Sequence, residues 1–102
     1  VGINSDQSIR RLKGSKRPLI GQRDRAAILA ALQCVDLVII FDEDDPLKLI
    51  EALRPDVLVK GGDYQIDQMV GRELVESYGG TVIATPLVEG VSTTQILEAA
   101  NV

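Results

Sequence analysis

Residues 37–41 read Leu-Val-Ile-Ile-Phe, an unbroken apolar run rich in β-branched side chains. A strand without polar alternation has no face to give to water, so it needs cover on both sides, as in a parallel sheet flanked by helices. The rest of the chain supplies the partners such a sheet requires. Val1–Ile3 reads as the end of a strand, and Arg25–Gln33 as a helix, with Ala26, Leu29, Ala30 and Leu32 at helical spacing. Asp45-Pro46 opens a second helix, running to about Leu53, with Asp as cap and Pro in the first turn. Val57–Lys60 is a further strand, Gly71–Tyr78 a helix closed by Gly79-Gly80, and Thr81–Ala84 a strand. Ser92–Ala100 is a last helix, capped by Ser92 or Thr93. Strands alternating with helices imply crossover connections, so the expected class is α/β with a doubly wound parallel sheet. At 102 residues, with no repeat and no dividing linker, the expectation is one domain spanning 1–102.

Ligands of such sheets sit at the carboxyl ends of strands. Three segments fall there. Asn4-Ser5-Asp6 follows the first strand and consists of turn formers. Lys60-Gly61-Gly62-Asp63-Tyr64 ends the third, where paired glycines let backbone approach a ligand and Tyr64 offers a flat face; a tight turn with Asp63 as local cap accounts for the same residues. Gly90-Val91-Ser92-Thr93-Thr94 puts hydroxyls and free N–H groups at a helix start, a natural anion site. An ordinary cap needs one of those hydroxyls, and the surplus points to phosphate.

Charge is uneven. Residues 1–25 hold seven basic side chains against two acids, and the remainder four against thirteen, for a net charge of −4. A net acidic chain is a poor non-specific binder of nucleic acid. The basic stretch, with Arg10, Arg11, Lys13, Lys16 and Arg17 among Gly and Pro, reads as a loop that closes over a small polyanion, or as solvated surface. Arg25 beside Asp24 at a helix start is badly placed for a cation, which an anionic partner or a surface ion pair would explain. Asp42-Glu43-Asp44-Asp45 reads as solvated charge plus a cap; no metal ligand set is assigned. There is no His, which removes the commonest metal ligand and neutral-pH acid–base group. One cysteine, Cys34, permits no internal disulfide and reads as a small core residue on a helix face. Aromatics make up 3% of the chain, too few for stacking platforms on single-stranded nucleic acid. With a single cysteine nothing suggests an oxidising compartment, so a cytoplasmic protein is the expectation, and no apolar run approaches the length of a membrane span. Residue 1 is Val and the only Met is Met69, so the chain is read as a fragment.

Taken in order, Val1-Gly2-Ile3-Asn4-Ser5-Asp6, Arg11-Leu12-Lys13-Gly14, Arg17-Pro18, Asp24-Arg25, Pro55-Asp56-Val57-Leu58-Val59-Lys60-Gly61-Gly62-Asp63-Tyr64 and Val88-Glu89-Gly90-Val91-Ser92-Thr93-Thr94 form a connected pattern. Over essentially the whole chain it resembles the adenylyltransferase domain of the bacterial bifunctional heptose kinase/adenylyltransferases, within the cytidylyltransferase-like nucleotidyltransferases. The resemblance implies a Rossmann-like nucleotidyltransferase fold. It also implies transfer of AMP from ATP, with Mg²⁺, to D-glycero-β-D-manno-heptose 1-phosphate, giving ADP-heptose and pyrophosphate for the lipopolysaccharide inner core. Lys13 and Arg25 take the catalytic positions under that resemblance; Asn4, Asp6, Gly61, Gly62, Asp63, Tyr64, Ser92, Thr93 and Thr94 take the nucleotide-binding ones. A sugar kinase domain fused upstream and a homo-oligomer are expected partners, and neither nucleic acid nor membrane is.

Two departures qualify the pattern. The family's first strand, with its Gly-Cys-Phe-Asp stretch and His-x-Gly-His motif, should precede Val1, so these residues alone should catalyse little. Leu87 stands where related cytidylyltransferases place an Arg before the Glu-Gly; the heptose enzymes resemble this chain there, which favours the narrower resemblance. The alternatives are another alcohol-phosphate or sugar-phosphate transferase using CTP, or a non-catalytic doubly wound binding module.

Overall fold

The computed structural model describes residues 1–62 and 65–100, and the chain divides into two compact units, Val1–Pro55 and Asp56–Val102. In the first unit, β1 (Gly2–Asn4) lies parallel to β2 (Ile39–Phe41), with Gly2 opposite Ile39 and Asn4 opposite Phe41. Between them run α1 (Asp6–Lys13) and α2 (Gln22–Ala30), and α3 (Leu47–Leu53) follows β2. Phe41 and Ile50 are buried here, and a side chain on Gly2 would come within 2.9 Å of Leu49 Cδ2, so this glycine lets α3 lie close to the strand. In the second unit β3 (Val57–Gly61) is parallel to β4 (Thr81–Thr85), in register from Val57 opposite Thr81 to Gly61 opposite Thr85. A short 3-10 turn (Ile66–Gln68) and α4 (Arg72–Ser77) connect them, and α5 (Thr93–Ala99) comes last. Met69, Val75 and Val82 form its core.

Parallel pairing across helical crossovers is the expected α/β, Rossmann-like pattern. Element boundaries moved for identifiable reasons. The stretch read as a basic loop is helical from Asp6 to Lys13, because Ser5 caps it: Ser5 Oγ accepts from Ser8 N at 3.1 Å, and Asp6 stands in the first turn with Arg10, Arg11 and Lys13 in the last. Helix α2 starts at Gln22 rather than Arg25, after Gly21, and ends at Ala30 rather than Gln33. Cys34 therefore falls outside it and is exposed, not a core residue. The apolar run at 37–41 contributes only Ile39–Phe41 to β2, and Leu37 and Ile40 are exposed at 60% and 37%. The expected cover on both faces is not there, since a two-stranded sheet has too little breadth for helices to enclose. Helix α3 starts at Leu47 with Pro46, not Asp45, at the N-cap position; Asp45 stands one residue earlier and accepts from Leu47 N at 3.0 Å.

Candidate functional site

The carboxyl ends of β1 and β2 open on a cleft of about 550 Å³. Three residues of α1 line it, Asp6, Gln7 and Arg10; Gly21, Gln22 and Arg23 contribute from the start of α2, and Asp42 from just beyond β2. Every lining side chain is polar or charged, glycine apart.

A hydrogen-bond network ties the elements around the cleft together. Ser5 N donates to Phe41 O at 2.8 Å, which ties the turn after β1 to β2. Ser8, fully buried, donates from Oγ to Glu43 O at 2.8 Å and accepts from Asn4 Nδ2 at 3.0 Å. Asn4 is thus directed at Ser8. Asp6 joins the two helix starts: its N–H donates to Gln22 Oε1 at 3.0 Å, and its carboxylate accepts from Arg25 Nη2 at 3.0 Å. Burial works to raise the Asp6 pKa, but the Arg25 hydrogen bond, the Gln22 backbone N–H and the charges of Arg25 and Arg10 outweigh it, leaving the carboxyl below its ordinary value.

Arg25 is consumed by this work. Its Nε donates to Ile20 O at 2.9 Å and its side chain is 21% exposed, so the ion-pair reading of this residue describes the structure. Lys13 ends α1, exposed, with Gly14 N closing the helix onto Arg10 O at 3.0 Å. Of the acidic run, Asp44 pairs with Arg11 at 2.8 Å, and Arg11 Nη2 also donates to Asp42 O. Among the described residues no three metal-ligating side chains converge.

The other expected residues belong to the second unit. Gly61 ends β3, and Gly62, buried at φ +135°, donates its N–H to Thr85 O at 2.9 Å, a conformation that favours glycine. Asp63 and Tyr64 lie outside the described residues. Ser92 caps α5, its Oγ accepting from Gln95 N at 3.1 Å, which is the ordinary cap; Thr93 and Thr94 follow, exposed in the first turn. Of the expected residues the structure therefore puts Asp6 in the lining of this cleft, with Arg25 bonded to it and Asn4 turned onto Ser8, and carries the glycines and hydroxyls on another unit.

Sequence reasoning missed Gln7, Arg10, Gln22, Arg23 and Asp42 as lining residues. The signal was the spacing of Asp6 and Arg10, which share a face only if the segment is helical. Reading it as a loop hid that.

A cleft at the strand ends of parallel α/β crossovers is where Rossmann-like folds bind nucleotides and phosphorylated substrates. Residues 1–99 match the family described as cytidylyltransferase-like, and the chain belongs to that family. Similar proteins include the bifunctional protein HldE of Geobacter sulfurreducens, 68% identical over 96% of this chain and 20% of that protein. Those of Geotalea uraniireducens and Koribacter versatilis are 65% identical over 96% and 59% identical over 99% of the chain, covering 20% and 21% of their own lengths. The chain thus spans about one fifth of the curated relatives it matches. Among the described residues no helix is long and apolar enough to cross a membrane.

Proposed function

We propose that the protein containing this chain transfers AMP from ATP to D-glycero-β-D-manno-heptose 1-phosphate, releasing pyrophosphate and forming ADP-heptose for lipopolysaccharide assembly in the cytoplasm. The observation that carries this reading is the 68% identity to a bifunctional HldE across nearly the entire chain. The motif order that resembles heptose adenylyltransferases supplies the substrate pair. In the reaction, a phosphate oxygen of the sugar phosphate attacks the α-phosphorus of ATP, a new P–O bond forms, and the bond to the bridging oxygen breaks as pyrophosphate leaves. Such chemistry needs positioning and charge neutralisation more than covalent catalysis.

Lys13, exposed at the end of α1, is one cation that can neutralise phosphate, and Thr93 and Thr94 carry hydroxyls at the start of α5. Arg25 serves by holding Asp6 in place. Mg²⁺ enters with ATP as part of the substrate, a role that needs no convergent protein shell such as the acidic run fails to form. The imidazoles of the His-x-Gly-His motif belong to the longer polypeptide, along with a fused sugar kinase, in keeping with the word bifunctional in the relatives' name. Assembly of that polypeptide as a homo-oligomer belongs to the same reading.

The test is product formation by the full-length protein with heptose 1-phosphate and either ATP or CTP. ADP-heptose from ATP, with little CDP-heptose from CTP, is the expected result. Preferential use of CTP, or no nucleotide sugar at all, would sink this reading.

A further inference from the structure

The chemistry of the cleft in the first unit distinguishes between the two substrates. ATP asks for a flat apolar surface under its base and for net positive charge around three phosphates. This lining has neither, because it holds no aliphatic or aromatic side chain, and its two arginines are balanced by Asp6 and Asp42. A phosphorylated sugar asks for something else: cations for one phosphate, and carboxylate or amide acceptors for a ring of hydroxyls. Arg10 and Arg23 project from two different helices, and neither forms an ion pair among the described residues. Asp42 likewise pairs with no cation through its carboxylate there, and Asp6 is kept ionised by Arg25. The volume, about 550 Å³, lies within the usual range for small-molecule sites.

We infer that this cleft is the acceptor subsite, with Arg10 and Arg23 holding the phosphate of the sugar 1-phosphate and Asp42 accepting from its hydroxyls. The assignment rests on the nucleotidyltransferase reading above for the identity of the sugar. Asp6, Gln22 and Arg25 act on substrate only through the two helix starts they hold together, so they are positioning residues.

The test uses the full-length protein and two readouts. In steady-state kinetics, Arg23→Gln should raise KM for heptose 1-phosphate about ten- to hundred-fold, the loss of one charge-assisted hydrogen bond, while KM for ATP stays within about two-fold. Arg23→Lys should recover part of the loss, and Asp42→Asn should raise the same KM. Calorimetric titration with heptose 1-phosphate and no nucleotide should show binding to the wild type that Arg23→Gln weakens by a similar factor. A rise in KM for ATP instead, an equal rise for both substrates, or no change in either overturns the subsite. The titration separates the two ideas: sugar phosphate that binds and depends on Arg23, in a protein that makes no nucleotide sugar, keeps the cleft and discards the reaction. Nucleotide sugar formed with no dependence on Arg23 does the reverse.

Discussion

Asp6 makes contacts of two kinds at once, receiving a hydrogen bond from Arg25 and donating its backbone N–H to Gln22. Its carboxyl pKa is depressed in the folded state, so its contribution to stability is present above the unfolded value, near 4, and is lost as pH falls through the lower folded value. Wild-type stability should therefore decline below about pH 4 more steeply than that of Asp6→Asn, which cannot titrate. Thermal melts of both proteins across the acid range measure this, and parallel curves would remove Asp6 from the account. Thr93 poses a different residue-scale question. It is exposed in the first turn of α5, after Ser92 has already supplied the cap. Thr93→Val keeps shape and removes one donor, so the full-length enzyme should lose roughly 1.5–3 kcal/mol of transition-state stabilisation with ATP. Unchanged kcat/KM for ATP would take Thr93 out of the site.

Helix α4 ends in a well-defined stop. Gly79, at φ +88°, donates to Glu76 O at 3.1 Å, and Gly80 donates to Val75 O at 2.9 Å, the paired bonds of a Schellman termination. The Gly-Gly pair signalled this end in the sequence, but not why two glycines are needed. The first supplies the left-handed backbone. The second supplies room, because a Cβ at residue 80 would lie 2.6 Å from Val75 Cγ1 and 3.0 Å from the carbonyl oxygens of Asp56 and Val75. Gly80→Ala should then destabilise the protein by about 1–3 kcal/mol, read from the urea midpoint, since backbone carbonyls on two sides leave little room to yield. A midpoint equal to the wild type's would mean that the chain relaxes there without penalty. Helix α1 teaches the opposite lesson. Its polar, basic sequence hides the capping hydroxyl of Ser5, and its buried face is made by a serine, Ser8, rather than by an apolar stripe.

Among the described residues the buried apolar side chains are Phe41, Ile50, Met69, Val75 and Val82, a small core divided between two units. Each unit carries one parallel pair of strands, and Val57, Val59 and Ile83 are 50%, 55% and 42% exposed on theirs. Two-stranded sheets are marginal in water, and exposed strand edges invite pairing with other chains. Residues 1–102 alone should therefore unfold at lower urea concentration, and with a smaller m-value, than a polypeptide extended upstream by about 40 residues, the length of one strand–helix crossover unit. Equal midpoints and m-values for the two would show that this small core is sufficient.

The class of fold was determined by the sequence itself, because an uninterrupted β-branched run, helical apolar spacing and paired glycines act through local geometry that needs no distant partner. The capping hydroxyl of Ser92 and the order of the motifs were legible for the same reason. Tertiary structure decided which of seven basic side chains near the N-terminus remain available. Arg11 is taken by Asp44 and Arg25 by Asp6, pairings across 33 and 19 residues, while Arg10 and Arg23 are brought to one cleft by two helices. Charge in a sequence counts cations, but its availability depends on Coulomb and hydrogen-bond partners that only folding brings within a few ångströms.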